Sequence, residues 1–112
     1  MKLNNPFPDE VRWLFAGVWK CWLCGCNGQD RGGLEIHHIY GRVSDSAFNA
    51  SVLCGKCHGH VGHSLEEHRG LFLTTLHYLR DLANRGIFQV SPKDVAFLRY
   101  IGDDIKEIDL KL

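Results

Sequence analysis

Two Cys-x2-Cys pairs, Cys21/Cys24 and Cys54/Cys57, limit what this chain can fold into more than any other feature. Each pair sets two sulfurs on one tight turn, Cys-Trp-Leu-Cys-Gly in the first and Cys-Gly-Lys-Cys in the second, and each supplies half of a tetrahedral zinc site. Together they predict a structural Zn2+ on four thiolates that closes the loop between residues 24 and 54. In a small domain the free energy of binding such an ion becomes folding free energy. At 112 residues and 45% hydrophobic content the chain is expected to form one domain, 1–112, with a modest core that gains from a metal staple.

Rival uses of the cysteines fit less well. A finger of two cysteines and two histidines on Cys21, Cys24 and His37 would need its second histidine where Gly41, Arg42 and Val43 stand. Cys54-Gly-Lys-Cys57-His58 matches a c-type haem attachment, but Met1 is the only methionine and a second Cys-x2-Cys pair has no role there. The chain opens without a secretory leader, so a cytoplasmic setting is expected, and disulfides are rare in it. The odd cysteine of the five, Cys26, is expected to be a plain thiol beside the first pair.

Thirteen basic and thirteen acidic residues cancel, which counts against strong non-specific binding of nucleic acid through net charge alone. Zinc on four thiolates would carry a formal charge of about minus two, and a second divalent cation held by histidines would offset it. No run approaches the roughly 18 apolar residues of a membrane span, so a soluble protein with no membrane partner is expected.

Along the chain, Pro6 and Pro8 mark an extended start, and 9–19 reads as a short helix whose Val11, Trp13, Leu14, Phe15 and Trp19 are expected in the core. A Gly-rich polar loop over 27–33 leads to the best strand, 34–40, with Leu34, Ile36, His38 and Tyr40 on one face. A loop over 41–50, a return strand over 51–53 and a helix over 55–63 follow. Ser64-Leu-Glu-Glu67 forms a capping box for a helix that runs to Gly86, and Leu65, His68, Phe72, Leu76, Leu79 and Ala83 keep its period. Ser91-Pro92-Lys-Asp94 starts a last helix carrying Val95, Leu98, Tyr100 and Ile101, and its acidic tail, 103–109, should fray unless Ile105 and Ile108 pack.

With both Cys-x2-Cys pairs and the order strand, loop, strand, helix, residues 20–63 resemble the HNH endonucleases, the ββα-metal fold. The family's motif positions read His37-His38 on the strand, Asn49 in the loop and His58 beside the second pair. The resemblance implies an α+β fold: a small zinc-stabilised ββα-metal core with additional C-terminal helices over 64–112, which carry no family motif. Small phage and prophage nucleases of this family are similar in size, so a phage origin and action on DNA in the host cytoplasm are further expectations.

The resemblance also implies roles. His37 and His58 would ligate one catalytic divalent ion, Mg2+, Mn2+, Ni2+ or Zn2+, with His63 as a third ligand if the helix ends at Gly62. His38 would be the general base that deprotonates water, and Asn49 would orient the His38 ring through its amide oxygen. Cleavage would leave 5′ phosphate and 3′ hydroxyl ends. Adjacent strand residues face opposite ways, so divided roles for His37 and His38 are consistent with the pleat. Histidine suits the base because its ordinary pKa lies near neutrality. Arg42, just past the pair, is a phosphate contact candidate. A non-catalytic zinc-stabilised module that binds nucleic acid or protein is the alternative, and a homodimer or protein partner stays open in both cases.

Overall fold

The computed structural model describes residues 7–27, 33–62 and 64–110. Its elements run α1 (Asp9–Leu14), β1 (Leu34–His38), a 3-10 turn (Ala47–Asn49), β2 (Ala50–Cys54), α2 (Gly55–His60), α3 (Leu65–Asn84), α4 (Pro92–Tyr100) and a second 3-10 turn (Gly102–Asp104). The architecture is therefore mixed: a two-stranded antiparallel sheet among helices, with a four-cysteine cluster. β1 and β2 pair in a register that sets Leu34 opposite Cys54, His37 opposite Ser51 and His38 opposite Ala50. That register brings the second Cys-x2-Cys pair to the start of β1 and the histidine pair to its end.

β2 is buried along its whole length, unlike β1. The reason is α3, which crosses it: Thr75 is fully buried and its hydroxyl donates to the Ala50 carbonyl at 2.5 Å. Phe72, Leu76, Leu79 and Leu82 of α3 meet Phe48, Ala50, Val52, Val11 and Phe15 in the main core. A smaller cluster, Cys21, Ile39, Leu53, Cys54 and Leu71, lies beneath the cysteines. α3 also holds the N-terminal segment. The Tyr78 hydroxyl donates to the Leu14 carbonyl, and its ring packs on Phe15 and Trp22 with centroids 5.2 and 5.6 Å away.

The predicted Ser64–Glu67 capping box forms, and the predicted Ser91 helix start closes into a second box with Asp94. The second does more than cap. Asp94 is buried and accepts from Ser91 N–H at 2.9 Å, Ser91 Oγ at 3.0 Å and, across the fold, Ser46 Oγ at 2.6 Å. Ser46 in turn accepts from Phe48 N–H at 3.1 Å and so starts the 3-10 turn. This chain of bonds locks α4 onto the loop that follows β1.

Several expectations need correcting. The first helix ends at Leu14, well short of residue 19, and Trp13 and Trp19 are 65% and 63% exposed although the core was expected to take them. A six-residue helix shows one narrow face inward, and Val11 and Phe15 fill it. Leu65 and Val95 are exposed despite their helical spacing, and Tyr100 is 68% exposed. On α4 the buried anchor is Phe97, which the spacing did not single out. β2 starts one residue earlier than expected, at Ala50, and β1 stops at His38, with Tyr40 in the turn beyond it. The acidic tail is held: Ile105 is buried and Ile108 packs against the main core.

Candidate metal centre and histidine site

The cysteine cluster is the best-defined chemical feature. The Sγ atoms of Cys21, Cys24, Cys54 and Cys57 all lie within 4.8 Å of one another, and Cys24 Sγ is 3.9 Å from Cys54 Sγ. Tetrahedral zinc at about 2.3 Å from each sulfur would set neighbouring sulfurs about 3.8 Å apart, so the four thiols fit a zinc ion.

Local backbone builds each half. Cys21 Sγ accepts from Leu23 N–H at 3.4 Å and Cys24 N–H at 3.5 Å, and Cys54 Sγ accepts from Cys57 N–H at 3.4 Å. The first turn reverses at Gly25, whose φ of +75° favours glycine, while Gly25 N–H donates to the Cys21 carbonyl at 2.9 Å. Lys20 and Asn27 pair across its base, making the turn a small hairpin.

Crowding divides the thiols electrically. Cys24 is lowered to about 6, first by the Cys26 backbone N–H and then by the Cys26 thiol. For Cys54 burial opposes ionisation, but N–H and thiol donation from Cys57 leave its pKa lowered. Cys57 is pushed up to about 12 by burial and by its bonds to Cys24 and Cys54. Cys26 is likewise raised to about 12 by burial and then by bonding to Cys24 and Cys54, so it sits beside the cluster as a thiol donor. None of the five cysteines is in a disulfide. A divalent cation would displace the protons that remain on its ligands.

The histidine pair separates across the pleat. His37 and Glu35, two residues apart on β1, share a face toward α2, where the His58 ring lies edge-on to His37 with centroids 4.9 Å apart. Two imidazoles on one tetrahedral ion would hold their centroids about 5 Å apart, so the spacing fits two ligands. The Glu35 carboxylate bonds His58 Nδ1, which leaves Nε2 as the nitrogen for a ligand. Among the described residues the four cysteines are nevertheless the one group of three or more donors that closes to within 4.8 Å. The histidines thus offer a pair of ligands rather than a closed cage. His63 lies outside the described residues.

His38 faces the opposite way. Its ring stacks on Phe7 with centroids 3.9 Å apart, and its Nε2 is 3.2 Å from Asp45 Oδ1. An ionised carboxylate only accepts, so Asp45 places the proton on Nε2 and makes Nδ1 the nitrogen with the lone pair.

Asn49 departs from its expected role. Its amide oxygen takes Tyr40 N–H at 2.8 Å rather than the His38 ring, and its amide nitrogen donates to the carbonyls of Gly41 at 2.9 Å and Ser44 at 2.8 Å. The side chain is fully buried and pins the loop between β1 and β2 from inside. It can position His38 only through that loop, which carries Asp45. Arg42 is exposed on the same loop. His60 is exposed, with Nδ1 donating to the Lys56 carbonyl at 2.8 Å, and His68 packs on Tyr40 with centroids 4.4 Å apart.

Glu35, Asp45 and Phe7 are the site residues that sequence reasoning missed. Strand alternation could have found Glu35, because it shares the His37 face. Asp45 and Phe7 reach His38 only through tertiary packing. No family model, curated protein or solved structure matches this chain. No helix among the described residues is long and apolar enough to cross a membrane.

Proposed function

We propose that this protein is a metal-dependent endonuclease of the HNH type that hydrolyses phosphodiester bonds in DNA. The observation that carries the reading is the approach of His37 and His58 at 4.9 Å, from β1 and from α2, the helix that supplies Cys57 to the four-thiol cluster, with His38 next to His37 on the opposite face. The order β1, loop, β2, α2 accompanies it.

A divalent ion on His37 and His58 would supply Lewis-acid stabilisation of charge on the scissile phosphate and the leaving oxygen. Glu35 holds Nδ1 of His58, which keeps Nε2 turned outward as a ligand. His38 takes a proton from water at Nδ1 while Asp45 holds its Nε2–H, the water oxygen bonds to phosphorus as the bond to the 3′ oxygen on the opposite side breaks, and that oxygen leaves as a hydroxyl with a proton from solvent. Asn49 keeps the Asp45 loop in shape. The four cysteines take no part in the chemistry and fix β2 and α2 beneath it.

One observation favours the second reading, a zinc-stabilised binding module: His58 and His38 each already have a carboxylate partner, as structural histidines do. Nicking of supercoiled plasmid with Mg2+, Mn2+ or Ni2+ separates the two. The nuclease reading expects ion-dependent nicking that disappears in His38→Ala, once that variant is shown to keep its zinc and its melting transition. Absence of nicking with every ion, in protein with full zinc content, would move the assignment to the binding module.

A further inference from the structure

The loop that carries Asp45 and one face of α4 enclose a groove of about 530 Å3. Its walls include Arg42, Ser44 and Asp45 from the loop and Lys93, Phe97 and Tyr100 from α4. Lys93, Phe97 and Tyr100 are spaced i, i+4 and i+7, so they form one stripe of the helix. Phe97 is the buried foot of that stripe, whereas Tyr100 keeps 68% of its surface open. The Ser46–Asp94 bond fixes the helix against the loop, so the groove is a built feature rather than a chance gap. Asp45 joins the groove to His38, since the carboxylate on its wall is the one bonded to His38 Nε2.

We propose that this groove seats an unpaired nucleotide of a DNA strand beside the scissile phosphate. Arg42 and Lys93 take the flanking phosphates, and Tyr100 stacks on the base. The volume lies within the range of small-ligand sites, about 300–1,000 Å3. Two cations and an open aromatic ring make the combination that single strands use, with electrostatic contact to the backbone and stacking that any base can satisfy. A base inside a duplex has no free face to offer Tyr100. The groove therefore selects DNA that is single-stranded, frayed or melted next to the cut. The choice of DNA rests on the nuclease reading above, while α4 lies outside the segment that resembles HNH enzymes.

The test is fluorescence anisotropy with zinc-loaded protein, a labelled ten-nucleotide oligothymidine and a blunt duplex of equal length. Wild type should bind the single strand more tightly. Tyr100→Ala should weaken that binding about tenfold, and Lys93→Gln should reduce the slope of log affinity against log salt by about 0.7. Trp13→Ala, which removes an exposed aromatic outside the groove, should bind as wild type does. A preference for the duplex, wild-type binding by Tyr100→Ala, or equal losses in Tyr100→Ala and Trp13→Ala would each overturn the assignment. Plasmid nicking is read separately. Nicking without Tyr100-dependent binding keeps the nuclease and removes the groove, and Tyr100-dependent binding without nicking does the reverse.

Discussion

Replacing Asp94 by alanine should remove the tie between the C-terminal helices and the loop that carries the candidate site. The carboxylate accepts three hydrogen bonds, and it and Ser46 are 4% and 0% exposed, so solvent cannot replace the lost acceptor. A hydrogen bond to a charged group contributes about 1.5–3 kcal/mol net, and the capping share of a box contributes about 1 kcal/mol. These contributions are not additive, so the expected loss is about 3 kcal/mol, within a total stability on the order of 5–15 kcal/mol. For a chain of this length that lowers Tm by about 10 °C. Urea unfolding of zinc-loaded protein should show a lower midpoint at unchanged m, the mark of a change in stability rather than in the denatured state. A double-mutant cycle with Ser46→Ala isolates the long bond, and its coupling should be about 1.5–3 kcal/mol. A loss below about 1 kcal/mol, or a coupling near zero, would refute the claim that this buried carboxylate locks α4 to the loop.

Other expectations follow from the same geometry. Cys54→Ser should abolish stoichiometric zinc and sharply lower the melting transition, since structural zinc contributes on the order of 10 kcal/mol; full zinc content with an unchanged melt would remove the cluster from the folding account. Glu35→Gln should weaken binding of a divalent ion at the histidines about 10- to 100-fold by calorimetry, with cysteine-bound zinc intact, and unchanged affinity would show that Glu35 does not prepare His58. Tyr40 is raised to about 12 by burial and then by the negative charge of Asp104, so it gives stability that is complete below about pH 10 and lost as pH rises through 12. The urea midpoint of wild type should therefore fall relative to that of Tyr40→Phe between about pH 10 and 12, and a constant difference would contradict that shift.

The difference between what was legible and what was not follows the range of the interactions. Spacing alone marked the four cysteines, because a tight turn needs only local residues to aim two sulfurs together. It also marked the Ser64 capping box and the Ser91 helix start, both of which are set by residues three apart. The pleat of β1 determined in advance that His37 and His38 would face apart, and the same rule, not applied to Glu35, would have set it beside His37. Burial of helix faces was read less well: Trp13, Trp19 and Tyr100 look like core residues in the sequence and lie exposed. Hydrophobicity says that a side chain gains from burial, not that a neighbour is present to bury it. The task of Asn49 also changed, because the three backbone groups it bonds come together only when the loop closes around it. Asp45 on His38, Phe7 on its ring, and the groove between Arg42 and Tyr100 all join segments distant in the chain. The sequence by itself determined the candidate ligands and the local turns that present them, whereas only tertiary packing decided what stands opposite each histidine.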